Sequence, residues 1–101
     1  MPAYMIVIAK ITDRDTFISS YGVAAAKLVE KFGGRYVLQK AGLQLLEGNF
    51  GDDASMVISE WPSKAAALAF WNSPEYAEIK KLRDGLADCQ ILLIEADKIN
   101  G

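Results

Sequence analysis

The sequence predicts an α+β fold in which one antiparallel sheet carries helices on a single face. Three observations predict it. Short runs of β-branched, aromatic and aliphatic residues, such as "YMIVIAKI" and "QILLIE", have the length of strands. Two other segments space their apolar residues three and four apart, as amphipathic helices do. The two kinds of segment follow one another as strand, helix, strand, twice over 101 residues.

Taken in order, Tyr4 to Ile11 reads as the first strand, and "ITDRD" offers Thr12 as an N-cap with Asp15 three positions on, close to a capping box. In the helix that follows, Phe17, Tyr21, Ala24, Leu28 and Phe32 form a stripe widened by Ile18, Ala25 and Val29, and Gly33 and Gly34 end it. "RYVLQ" reads as the second strand, Gly42 as a turn or bulge, "LQLLEG" as that strand's continuation or a hairpin partner, and "GNFGDD" as a loop. "SMVISEW" is a further strand stopped by Pro62, and Ser63 caps the run "SKAAALAFW". "NSPEY" then breaks and restarts the helix without a loop. Ser73 is the new cap, Pro74 suits the first helical position because that amide needs no partner, and Glu75 favours the positive end of the helix dipole. Together Ser73 and Glu75 occupy that helix start, which leaves little room for a bound anion. "QILLIE" supplies the last strand before a short polar tail. The order β-α-β-(β)-β-α-β is that of a ferredoxin-like sandwich, one domain over residues 1–101 with its ordered core at about 3–96.

A sheet covered by helices on one face should alternate to polar residues if its other face met water. Here it does not. Tyr4, Ile6 and Ile8 point one way and Met5, Val7, Ala9 and Ile11 the other; Leu92 and Ile94 oppose Ile91 and Leu93. The uncovered face is therefore expected to pack on the same face of a second copy, giving a two-fold homodimer, or else to be covered by a loop of a monomer.

Composition excludes several function classes. Eleven basic against thirteen acidic residues, with no basic block, provide no electrostatic footprint for nucleic acid. No apolar run approaches the roughly 20 residues of a membrane span, and "MPAYMIVIAKI" lacks a basic leader and a small-residue cleavage site. The single cysteine, Cys89, cannot form an internal disulfide, which fits a reducing cytoplasm. Above all there is no histidine. This removes Ser-His and Cys-His nucleophile pairs, the imidazole base, and the commonest zinc and haem ligands, so no metal and no cofactor is expected.

"GGRY", "LLEG", "SEWP", "NSPEY" and "LR", in this order over nearly the whole chain, resemble the domain-of-unknown-function family 1330. The resemblance implies the dimeric α/β-barrel superfamily, in which two ferredoxin-like sheets pack face to face. That superfamily includes cofactor-free monooxygenases, lactone isomerases, haem-degrading enzymes and plain binding modules, so it implies a fold and no single activity. One departure is Trp61, where a phenylalanine is more usual; it would reshape a pocket without changing the fold.

The helix restart rotates the apolar stripe so that it runs through Tyr76, Ile79, Leu82 or Arg83, and Leu86, bringing a hydroxyl and a guanidinium to the core side. Lys80 can pair with Asp84 and Lys81 with Glu78, whereas Arg83 has Ile79, Lys80, Leu86 and Ala87 at helical distances and no acid among them. Its partner is Glu60, Glu47 or the anionic group of a ligand. Glu60 shares a strand face with Ile58 and Met56, so it is read either as a salt-bridge partner or as a carboxylate whose pKa is raised by burial, suited to a general base. Tyr76 is a second, weaker catalytic candidate. Tyr21, Tyr36 and Trp71 are expected beside Tyr76, as pocket lining or as plain core. Arg35, opposite to Tyr36, would reach the dimer rim. Cys89 has no evident base and reads as an inert thiol just before the last strand, and "GDD" is a weak cation site at most. Three readings follow: a homodimeric module binding a small, acidic organic molecule between sheet and helices; a cofactor-free oxygenase or isomerase; and a structural or regulatory dimer with a filled core.

Overall fold

The structure, a computed structural model, describes residues 1–97 and Ile99. Part of the polar tail expected after the last strand therefore lies outside the described residues. Four strands, β1 (Ala3–Ile11), β2 (Arg35–Ala41), β3 (Ser55–Trp61) and β4 (Ala87–Glu95), form one antiparallel sheet in the order β2-β3-β1-β4. In the register, Ala3 faces Trp61 on one side and Glu95 on the other, so the first strand sits in the centre of the sheet. The helices α1 (Arg14–Phe17), α2 (Val23–Lys31), α3 (Lys64–Trp71) and α4 (Pro74–Lys80) lie on one face. This is the ferredoxin-like α+β fold that the element order predicts.

Alternation along the strands decides what is buried. Ala3, Met5 and Ala9 of β1, with Ser59 and Trp61 of β3, turn toward the helices and are buried, where Leu28, Val29, Phe70 and Tyr76 meet them. The opposite residues of the same strands form the open face, on which Leu38 is 47% exposed, Leu92 53% and Ile94 54%. Gly51 and Phe50 of the 42–54 loop lie against the end of this face held by Ile8 and Lys10, while Leu38, Leu92 and Ile94 stay exposed.

The first helix departs from expectation at its start. Its cap is Asp13, whose carboxylate accepts from the Thr16 amide at 3.1 Å and the Thr16 hydroxyl at 2.7 Å. Thr12 instead remains tied to the residue just before β4, its amide donating to the Leu86 carbonyl at 2.8 Å. Between α1 and α2 the residues Ile18–Gly22 form a π-helical turn, which periodicity does not reveal. The local chemistry supplies a reason: the Ser20 hydroxyl donates to the Thr16 carbonyl at 2.5 Å and the Ser19 hydroxyl to the same oxygen at 3.3 Å, competing with the backbone amides for that acceptor.

"LQLLEG" is not a strand. Gly42 has φ +84°, and its amide and that of Leu43 both donate to the Ala54 carbonyl, so the ladder closes there. Beyond it the Leu45 amide donates to the Asp52 carboxylate at 3.0 Å and Leu46 is 88% exposed, which no sheet face would allow. Cys89 lies within β4 and not before it.

At the helix break, Ser73 performs both functions required there. Its hydroxyl donates to the Phe70 carbonyl at 2.8 Å, closing α3, and accepts from the Tyr76 amide at 3.0 Å, opening α4. Pro74 is at the first helical position, and Glu75 accepts from Lys31 at 2.9 Å. Lys81 pairs with Glu78 at 3.1 Å as expected, but Lys80 lies over the Trp71 ring, 4.9 Å from its centroid, and not on Asp84.

Candidate functional site

Between the helix-covered face of the sheet and the α1–α2 segment lies a cavity of about 420 Å³. Four elements deliver its larger polar groups, and β3 adds the hydroxyls of Ser55 and Ser59. The capped first turn of α1 presents Arg14 at the mouth, where its guanidinium donates to the Ser55 hydroxyl of β3 at 2.7 Å. The π-helical turn delivers Tyr21 and the restarted α4 delivers Tyr76, their hydroxyls 2.8 Å apart. The edge strand β2 adds Tyr36, opposite Ser59, and Gln39, on either side of a bulge at Val37. Val7, Phe17, Ala25, Phe70, Trp71 and Ile91 make most of the remaining wall apolar. Lys40 and Met56 also border it, but from positions whose side chains alternate toward the open face.

Tyr21 and Tyr36 are held in their neutral form. Burial pushes the Tyr21 hydroxyl far above its ordinary pKa, and the adjoining Tyr76 adds to the shift. Tyr36 is raised by the same two causes in the same order. Tyr21 and Tyr36 are therefore hydrogen-bonding hydroxyls near neutral pH and not phenolate bases. The described lining contains no Asp or Glu, which leaves Arg14 as the charged side chain reaching into the mouth.

The residues singled out in the sequence divide between two places. Tyr21, Tyr76, Trp71 and Tyr36 come together on the cavity. Arg83 does not line it: the guanidinium lies behind Tyr21, 5.6 Å from the ring centroid, and neither Glu60 nor Glu47 is its partner. Burial opposes the Arg83 charge, but the Tyr76 and Tyr21 oxygens and Cys89 outweigh it and push the pKa up. Glu60 points to the open face, where it pairs with Arg35 and accepts from the Tyr4 hydroxyl at 2.9 Å. The strand parity that aligns Glu60 with Ile58 and Met56 is correct; all three face away from the helices. Glu47 is exposed in the 42–54 loop.

Trp61 is 1% exposed and packs on Phe70 without reaching the cavity, its indole N–H donating to the Ser59 hydroxyl at 2.9 Å. Burial pushes the Cys89 thiol up despite the nearby Arg83, as for an inert thiol. In "GDD", Asp52 is engaged with the Leu45 amide, and no group of three or more Cys, Asp or Glu among the described residues is arranged to hold a metal.

Sequence reasoning missed Arg14. A signal was present: Lys10, Ile11, Phe17 and Ile18 occupy its helical distances, the same absence of an acid that drew attention to Arg83.

A family described as "Domain of unknown function (DUF1330)" matches residues 2–97. Among solved structures, a protein of unknown function from Rhodopseudomonas palustris is 24% identical with a TM-score of 0.74, over 96% of this chain and 83% of that one. SnoaB, a cofactor-independent oxygenase from Streptomyces nogalater, is 13% identical with a TM-score of 0.68, over 96% and 94%. A dimeric ferredoxin-like protein of unknown function from Jannaschia sp. CCS1 is 11% identical with a TM-score of 0.68, over 95% and 100%. At these identities the likeness is one of fold. No curated protein matches the chain. No helix among the described residues is long and apolar enough to cross a membrane.

Proposed function

The chain belongs to the DUF1330 family, and we propose that it is a homodimeric module that binds a small organic acid in the cavity between sheet and helices. One observation carries the reading: Arg14 stands at the mouth of an apolar cavity of about 420 Å³, fixed to Ser55 at 2.7 Å, with no acidic residue in the described lining. The volume falls in the range of small-molecule sites, and an apolar wall with a few fixed polar groups is the usual composition of such sites. A lone guanidinium there favours an anionic ligand end. The cation of the site is thus Arg14 and not Arg83.

Dimerisation is supported by the open face. Leu38, Leu92 and Ile94 form an exposed apolar surface on a sheet face left open by the described residues, and about 800 Å² per partner is what a stable interface buries. The dimeric neighbour from Jannaschia supports it by fold.

The oxygenase or isomerase reading has the fold of SnoaB in its favour. It lacks a base: the chain has no histidine, the described lining no carboxylate, and Tyr21 and Tyr36 are driven away from ionisation. A ligand-free structural dimer leaves the cavity without a use.

The test compares a naphthoic acid with its neutral amide by calorimetry and thermal shift. The acid should bind and raise the melting temperature, the amide should bind at least about tenfold more weakly, and Arg14→Gln should remove the difference. If a panel of aromatic and aliphatic acids gives no binding, the reading is wrong.

A further inference from the structure

We propose that Ser59 sets specificity in the cavity: its hydroxyl donates to an oxygen of the bound acid outside the carboxylate, a carbonyl or an ether, and Trp61 holds the hydroxyl in the orientation to do so. This deepens the acid-binding reading and rests on it. The observation is a buried hydroxyl whose acceptor side is taken and whose proton is unspent. Ser59 is 4% exposed, belongs to the helix-facing side of β3 and lines the cavity. Its oxygen and the Trp61 indole nitrogen are 2.9 Å apart.

That bond has one direction. An indole N–H donates and never accepts, so the Ser59 oxygen is the acceptor. The serine proton takes no part in the contact, and no acceptor for it is found among the described residues. A buried donor beside a largely apolar wall is costly until an acceptor arrives. The space next to Ser59 is the cavity itself, and a ligand oxygen there supplies the acceptor.

Trp61 is a positioning residue in this arrangement, since it does not line the cavity and acts only through Ser59. Its ring is held firmly: it is 1% exposed, packs on Phe70 at 5.1 Å between centroids, and lies so close to Gly34 that a Cβ there would stand 2.9 Å away. A fixed indole commits one side of the serine oxygen and so limits where the proton can turn, which lowers the entropy lost when a ligand oxygen binds. Phenylalanine at the same place would pack but not donate. Ser55, which accepts from Arg14 at the mouth, and Ser59 share one face of β3 with Val57 between them. The acid therefore meets the strand at two separate points, its carboxylate beside Ser55 and its second oxygen at Ser59.

The test is calorimetry on the full chain with naphthoic acids that carry an acetyl group at each free carbon of the distal ring in turn, each paired with the acid that has isopropyl at the same carbon. At least one acetyl acid should bind about tenfold more tightly than its isopropyl counterpart, the worth of one hydrogen bond to a buried donor. Ser59→Ala should abolish that preference, while the isopropyl acid binds at least as well as before and so reports an intact cavity. Because Ser59→Ala strands the buried indole N–H, the double variant Ser59→Ala with Trp61→Phe is measured beside it; it leaves neither group unpaired and should lose the preference equally. Trp61→Phe alone keeps the hydroxyl but frees it to turn, and should narrow the preference without abolishing it. No preference for any acetyl acid in the wild-type protein, or one that survives the loss of the Ser59 hydroxyl, overturns the Ser59 assignment and leaves the acid-binding reading standing. An undiminished preference in Trp61→Phe overturns the positioning role. Failure of every acid to bind removes the acid-binding reading and this inference with it.

Discussion

The hydroxyls of Tyr21 and Tyr76, contributed by helical segments more than fifty residues apart, meet at 2.8 Å on the cavity wall. This contact joins the two helical halves of the chain at the site, and it makes the fold sensitive to alkali. Tyr21 has a folded-state pKa raised by burial, while in the unfolded chain it ionises near its ordinary value of about 10. Its contribution is therefore complete below that pH and is lost as the pH climbs from there toward the folded value.

Urea midpoints of the wild-type protein should accordingly fall between about pH 9 and 11, and Tyr21→Phe should flatten the decline. A variant whose midpoint falls as steeply as the wild type would show that Tyr21 ionisation is not linked to unfolding.

Ser73 closes one helix and opens the next with a single buried hydroxyl. Ser73→Ala removes both bonds and should cost about 1–2 kcal/mol, at the upper end for a cap because the freed groups are buried. Denaturant unfolding of the variant measures it directly. A loss of a few tenths would mean that water replaces the hydroxyl.

Gly34 is required by its neighbour. A Cβ there would stand 2.9 Å from three atoms of the Trp61 ring. Gly34→Ala should be destabilising by about 1–3 kcal/mol. In a Trp61→Phe background the penalty should shrink, and a double-mutant cycle reads the coupling.

For the open face, light scattering at micromolar concentration should give twice the chain mass, and Ile94→Glu, at a position 54% exposed in the isolated chain, should return it to one. Circular dichroism verifies that the variant keeps its fold. A wild-type protein of single-chain mass would remove the proposed dimer.

The four strands of the sheet, though not the loop "LQLLEG" that was read as a further strand segment, and the helix restart were legible because each depends on local chemistry: alternation in "MIVIA", the Ser73 and Pro74 pair, the glycines after Phe32. Tyr21 and Tyr76 could be placed on the inward stripes of their helices by spacing, but that they meet Tyr36 and Trp71 on one cavity depends on the tertiary fold. What stayed hidden depends on contacts distant in sequence. Glu60 could be given a strand face but not a side of the sheet, since parity does not say which face receives the helices. Arg83 could be seen to lack a local acid but not to stack behind Tyr21. The π-helical turn escaped because two serine hydroxyls, and not the apolar spacing, set the local winding.

The position of β1 also governs the order in which this protein can be assembled. The first strand of the sheet lies in its middle, and both of its neighbours follow much later in the chain: β3 begins at Ser55 and β4 at Ala87. Apolar on both sides and without a hairpin partner, Ala3–Ile11 has no strand to pair with until Ser55–Trp61 has been made, and no second one until Ala87–Glu95 has. Such long-range pairing makes folding slow and leaves a sticky nascent segment exposed meanwhile. Pairing of β4 is then the step that completes the sheet, and a chain that stopped before Ala87 would display one full edge of its central strand to any passing partner.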